Sequence, residues 1–340
     1  MSILTQTPTT KRKSTAKDVA REAGVSKWTV NRAFKAGSPI GNESRTRVLE
    51  VARKIGYRPN LLARSLTTKS TQQVAVLVDD FDNPHKLPVL KLLTAALQRE
   101  GLIAALINVN QPSDRVDAIF DADQRQLDAV VLVGTSFGDE TLRESPLPPN
   151  GPPLYVLGRE STLHNVTAVS CDAAKSMGAI CDLLWARGYR RPGFMSGPRA
   201  LSTALGRKQE FESFWLSRRI APPLELPARA WDRIAAGEAI ARYLSGTRKP
   251  DRIDVLMCED DALAVGAMDV ARFAFGLMVP ADLAFVGYDG IDLAGSPSYD
   301  LTTYEQPTDR MIDRLIAMVV GRSARNSVNL EGRLVVRGST

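Results

Sequence analysis

The stretch that most constrains this chain runs from Thr15 to Asn60, TAKDVAREAGVSKWTVNRAFKAGSPIGNESRTRVLEVARKIGYRPN. It predicts three short helices with a tight turn between the first two. Thr15 with Asp18 three residues on has the form of a capping box. Val19, Ala20 and Ala23 make one apolar stripe, and Gly24 ends the helix as a glycine just past the C-terminus does. Ser26 can cap a second helix reaching about Phe34. Two helices joined in this way form a helix-turn-helix, whose second helix enters the DNA major groove.

That second helix has two faces. Each residue advances about 100°. With Val30 turned inward, Ser26, Ala33 and Phe34 share its side, Trp28, Asn31 and Arg32 lie on the open side, and Lys27 sits between. Arg and Lys can bond the O6/N7 edge of guanine, and Asn the N6/N7 edge of adenine. The bland alternative is a small three-helix bundle with a solvated basic face. Charge favours DNA. Residues 1–70 hold 15 Lys and Arg against four acids, a net +11, while the whole chain is +6, so residues 71–340 carry −5. A basic head on an acidic body is the footprint of a nucleic-acid module joined to something else. After Pro59, Asn60 can cap a helix of about two turns, too short to stand alone.

The body reads as parallel α/β, because short apolar runs alternate with helical segments. The runs are 73–80, 102–109, 128–134, 153–159, 165–172, 191–197, 254–260 and 283–290, and their unbroken apolar character suits strands buried on both faces. Helices are expected at Leu87–Glu100 and Ala173–Arg187. In open α/β sheets ligands bind beyond the carboxyl ends of strands. Polar groups fall there at Asp79 to Asn83, Arg159, Asp172, Ser202 to Arg207, Glu259 to Asp261, and Asp289. Collected in one pocket they would suit a polyhydroxyl ligand. Asp261 is expected to be a helix N-cap instead, and an Arg207–Asp289 salt bridge holding the lobes closed is the alternative to ligand binding by that pair.

Several function classes are disfavoured. No run approaches 18 apolar residues, so no membrane span is expected. The polar first 15 residues do not read as an export signal, which argues against a secreted solute-binding module. Cys171, Cys181 and Cys258 lack metal-ligand spacing and suit buried thiols in a reducing cytoplasm. No phosphate-loop, zinc-hydrolase, nucleophile-elbow or dinucleotide motif is present, and His85 and His164 are not spaced as metal ligands, so neither enzyme activity nor a cofactor is expected.

The motifs KDVAREAGVS, GYRPN and ARSL, with DNP (82–84), STALGR (202–207), DDALAVGAM (260–268), VPADLAFVGYD (279–289), LTTYEQP (301–307) and LVVRGST (334–340), resemble the lactose-repressor and galactose-repressor family of bacterial transcription regulators. Their order and spacing hold over nearly the whole chain. The resemblance implies a helix-turn-helix head with a hinge helix, and a two-lobed periplasmic-binding-protein-like α/β body with parallel sheets. It implies a basic arm at 1–14, a DNA-binding domain at 15–59, a hinge at 60–70 and an effector and dimerisation domain at 71–340. The lobes would be roughly 71–171 with 304–325, and 172–303 with 326–340. DNA contacts are expected from Ser26, Lys27, Trp28, Thr29, Asn31, Arg32, Tyr57, Asn60, Ala63 and Leu66, the last wedging between base pairs in the minor groove. Effector contacts are expected from Asp82, Arg159, Arg207, Asp260, Asp289 and Gln306. Asp260 stands where the family usually has Asn, which makes the pocket more acidic than a plain sugar site. The expected molecule is a cytoplasmic homodimer, without the tetramer-forming heptad helix of some members. It would repress from a near-palindromic operator under control of a sugar-like effector or, alternatively, of a protein partner.

Overall fold

The computed structural model describes residues 13–35, 37–60, 65, 68–81, 83–109, 112–134, 138–144, 148, 150–198 and 205–340. The chain divides into two compact units, Met1–Thr71 and Gln72–Thr340.

In the first unit, α1 (Ala16–Ala23), α2 (Lys27–Ala33) and α3 (Asn42–Lys54) follow in order. The capping box forms: Asp18 N–H donates to the Thr15 hydroxyl, and Thr15 N–H donates to the Asp18 carboxylate at 2.9 Å. Gly24 takes φ 65°, a left-handed conformation that a Cβ disfavours. Thr29 N–H donates to the Ser26 hydroxyl at 3.1 Å and starts α2, which ends at Ala33 with Phe34 as its C-cap. The core holds Val19, Ala20, Ala23, Val30, Ala33, Val48 and Ala52, walled by Phe34 and Tyr57 edge to face at 5.7 Å. Arg45 of α3 donates to the carbonyls of Ala33 and Ser38, each at 3.0 Å, and fixes the exit from α2. Most of the expected hinge lies outside the described residues. Within it, Lys69 N–H donates to the Ser65 carbonyl at 2.8 Å, a single helical link.

The second unit has two sheets. The first orders β11 (Val328–Leu330), β5 (Val166–Cys171), β4 (Leu154–Leu157), β3 (Ala129–Val133), β1 (Gln73–Val78) and β2 (Ile103–Asn108), all parallel. The second orders β12 (Arg333–Val335), β10 (Thr302–Glu305), β9 (Ala284–Asp289), β8 (Val255–Cys258), β6 (Pro192–Met195) and β7 (Leu224–Glu225), parallel except for β12 against β10. Between the strands run α4 (Lys86–Arg99), α5 (Pro112–Gln124), α6 (Asp139–Glu144), α7 (Ala173–Ala186), α8 (Arg207–Ser217), α9 (Arg233–Gly246), α10 (Asp261–Phe273) and α11 (Thr308–Val319). The central strands β1, β3, β4, β5, β8 and β9 are buried almost throughout, as their apolar runs require. The exception is β2, expected to be buried on both faces: it is an edge strand, with Ile103 and Leu106 exposed. The three cysteines are buried.

The lobe bounds differ from expectation at two points. Thr302–Glu305 completes the second sheet against β9, so the return to the first lobe begins only after it. Val328–Leu330, expected in the second lobe, instead covers the open edge of β5, pairing with Val169–Cys171. The last crossing is compressed into Glu331 and Gly332. An uncovered edge of β5 would leave backbone donors and acceptors without strand partners, and β11 satisfies them.

Candidate functional site

The first unit presents α2. Val30 and Ala33 face the core, Trp28 is 65% exposed, Lys27 and Asn31 are exposed, and Arg32 is half-buried with its guanidinium 4.0 Å from the Trp28 ring centre. Ser26, placed on the inner side by its angle, is exposed, because as N-cap it sits where the chain turns into the helix. Its hydroxyl lies 2.9 Å from that of the half-buried Thr29. Tyr57 packs on Phe34 and is half-buried, and Asn60 is exposed. Ala63, Leu66 and Asp82 lie outside the described residues.

In the second unit, strand ends from both sheets converge on one cleft with about 690 Å³ of empty space. Asp80, Asn83, His85, Lys86, Gly134 and Gly158 come from the first lobe, and Leu205, Arg207, Trp231, Asp260 and Asp289 from the second. Gln306 lies where the chain returns from β10. Arg207, the first residue of α8, is 6% exposed. It donates to the Glu259 carbonyl at 2.5 Å, lies 3.6 Å from the ring centre of Tyr288, and stands 3.9 Å from the Asp289 carboxylate. Burial opposes its charge, but Tyr288, Asp289 and Glu259 outweigh it and raise its pKa. Gln306 donates to Asp289 at 2.6 Å. Asp289 ends β9 at φ 108°, a region that few residues other than glycine adopt, with Gly290 following at φ 73°. Both Arg207 and Asp289 belong to the second lobe, so their loose pair does not hold the lobes together. One contact that does cross between the lobes, at the cleft, is Asn83 donating to Asp260 at 3.2 Å.

Two adjacent aspartates divide the work at the start of α10. Asp260, not Asp261, is the N-cap, and its carboxylate accepts from Leu263 N–H at 2.7 Å. A side-chain oxygen at the N-cap reaches the amide three residues on, and the helix start places Asp260 there. Burial, and then the charge of Asp289, push the Asp260 carboxyl well above the usual carboxylate range. Asp261 faces away from the cleft and accepts from the Thr303 hydroxyl at 2.6 Å and from Ile291 N–H at 2.9 Å. Its carboxyl is pushed up to about 7, chiefly by burial. Burial also lowers the pKa of His85, with Asp289 acting against it.

Arg159 does not line the cleft. It is 2% exposed and donates to Asp139 at 3.1 Å and to the Glu160 carbonyl at 2.7 Å. Trp231 is the largest side chain among the lining residues that sequence reasoning missed. It sits in the irregular segment between β7 and α9, where no strand end marks it. Its ring lies against Gly197, and a Cβ there would overlap the indole. Lys86, one turn past the expected strand-end loop, was also outside the expected groups, whereas Asn83 lies in that loop and does line the cleft.

The sequence matches the family described as bacterial regulatory proteins, lacI family, over residues 15–60, and the periplasmic binding protein-like domain over residues 181–340. It is 25% identical to the HTH-type transcriptional repressor CytR of Escherichia coli (strain K12) over 337 residues, covering 96% of each chain. It is 27% identical to the HTH-type transcriptional repressor PurR of Proteus mirabilis (strain HI4320) over 334 residues, again 96% of each. Among solved structures, the lac repressor dimer bound to operator and the anti-inducer ONPF superposes with a TM-score of 0.82 at 19% identity, covering 96% of this chain and 99% of that one. The complex of the transcriptional regulator CelR with cellobiose gives 0.69 at 24% identity, covering 96% and 100%. These two share the fold.

Proposed function

The chain belongs to the lacI family of bacterial regulatory proteins, a helix-turn-helix head joined to a periplasmic-binding-protein-like body, and from that premise we propose a dimeric repressor that reads a near-palindromic operator through α2 and answers to a small carbohydrate-like effector held in the cleft. The observation that carries this reading is the convergence of Arg207, Asp260, Asp289 and Gln306 on one cleft lined from both lobes. An Arg donor fork beside carboxylate acceptors suits neighbouring hydroxyls, which both donate and accept. The relatives' printed names point the same way: one is a ribose operon repressor and one is held with cellobiose. No feature of the cleft or of the relatives supports the alternative of a protein partner, and the head sets the chain apart from a solute-binding module. It is a regulator and not an enzyme. Among the described residues no helix is long and apolar enough to cross a membrane, and binding operator DNA places its work in the cytoplasm.

Because the cleft is lined from both lobes, a ligand there interacts differently with each lobe arrangement and so shifts their populations. Whatever factor the effector applies to operator affinity, operator applies to effector affinity. The test is fluorescence anisotropy of operator DNA, selected from random sequence, titrated with sugars, sugar phosphates and nucleosides. One compound is expected to change operator affinity at least about tenfold, a coupling in the usual range. A panel without effect on DNA, combined with no calorimetric binding to the body, rejects the ligand-gated reading.

A further inference from the structure

Trp28 is the one large hydrophobic side chain left exposed among the described residues of the head, and it stands on the face of α2 that the head does not use for its own packing. One turn later Arg32 lays its guanidinium 4.0 Å from the indole centre. A guanidinium held against a ring uses its π face for the stack and keeps its N–H donors directed outward from its edge. We propose that Trp28 and Arg32 act as one reading unit: Arg32 bonds the O6/N7 edge of a guanine, and the exposed indole lies on the C5-methyl of a thymine at the neighbouring base pair.

Three considerations set this arrangement. Residues four apart on a helix have Cβ atoms about 5–6 Å apart, but the stack brings the two reading groups to 4.0 Å. That is close to the ~3.4 Å between successive bases of a strand, so the two groups match adjacent pairs rather than separated ones. The thymine methyl is the apolar group that the major groove offers, and the apolar remainder of the indole is what Trp28 offers it. The stack also holds the long Arg32 side chain in place before DNA arrives, so less freedom is lost on binding. Trp28 is therefore both a reader and a positioning residue for Arg32.

This inference rests on the DNA-binding reading of α2, and the experiment separates the two. Preferred half-sites are selected from random DNA with the full-length protein and with Trp28→Ala, Trp28→Phe and Arg32→Ala. The thymine beside the selected guanine is then replaced by deoxyuridine, which removes only the methyl. The wild-type protein is expected to select a guanine next to a thymine and to lose about fourfold in affinity per half-site on the deoxyuridine probe, the worth of one buried methyl group. Trp28→Ala is expected to ignore the methyl and to discriminate less well at the guanine, with Trp28→Phe restoring part of both. Because Trp28 is exposed, the circular dichroism and melting of its variants should match wild type. An unchanged consensus in Trp28→Ala, or equal affinity for thymine and deoxyuridine probes in the wild type, overturns the paired reading while leaving operator binding intact. A wild-type protein that selects no sequence at all overturns both.

Discussion

Arg207 and Asp289 are the residues on which the effector proposal can be tested most directly. Their pairing at 3.9 Å is loose and lies within one lobe, while Arg207 is held from behind by the Glu259 carbonyl and the Tyr288 ring. Arg207→Ala or Asp289→Ala is therefore expected to keep operator affinity within about threefold of wild type, since the head is unchanged, and to lose the response to effector. The check is anisotropy with and without effector, alongside melting of the ligand-free protein. A sharp fall in melting temperature with the response retained would assign the pair a structural role. Asp261 makes a different prediction. Its carboxyl rises from 3.8 to about 7 on folding, so the folded state holds its proton more tightly than the unfolded state does. The sign follows from linkage: stability from this group is full below about pH 3.8, falls as pH rises through 7, and is level above that. Asp261→Asn can keep both contacts, accepting from Ile291 and donating to Thr303, but does not titrate. Between pH 5 and 8 the wild-type melting temperature should fall relative to the variant by a few degrees. Parallel curves would show that Asp261 does not titrate in the folded protein near pH 7.

At the scale of the element, α2 is short and packs on a core of seven Val and Ala residues, so its ends matter more than they would in a larger domain. Ser26 holds the first turn through Thr29 N–H. Ser26→Ala is expected to cost about 0.5–2 kcal/mol, which corresponds to amide exchange in α2 faster by up to roughly 30-fold. Hydrogen exchange of the full chain reads this directly, and unchanged protection of Val30 and Asn31 would mean that packing alone holds the helix. The start of α10 shows where reading of elements reaches its resolution. The pair Asp260-Asp261 offers two chemically identical caps, and a shift of one residue decides which carboxylate faces the cleft and which turns to Thr303. Likewise, Arg207 and Arg159 both follow strand ends, yet Arg207 lines the cleft while Arg159 is taken by Asp139 on α6.

The whole molecule joins a head of net +11 to a body of net −5. Affinity for operator should therefore fall steeply with salt. Six to ten phosphate contacts would give a slope of log affinity against log salt of about −5 to −9. Anisotropy between 50 and 200 mM potassium chloride would measure it, on the order of the range where such slopes are read, and a flat line would remove phosphate contact as the source of affinity. The lobes of the body are tied at the cleft by Asn83 and Asp260, so the contact between lobes and the ligand site share a residue. A ligand that engages Asp260 competes with that contact, which gives it a route to the lobe arrangement.

The sequence by itself determined the helix-turn-helix, both of its caps, the outward face of α2 and the position of all eight expected strands, though not that β2 is an exposed edge, because each is written in residues close along the chain: a cap reaches three positions, a helix face repeats about every 3.6, and a strand of such a sheet is a continuous apolar run. Tertiary structure decided what depends on distant partners. β7 and β10 to β12 are short or mixed in polarity and exist as strands because a neighbour offers an edge, as Val328–Leu330 does with Val169–Cys171. Trp231 reaches the cleft from an irregular segment only because Gly197 leaves room for its ring. Asn83 meets Asp260 across 177 residues of chain, a proximity that no local periodicity encodes and that only the packing of two sheets creates.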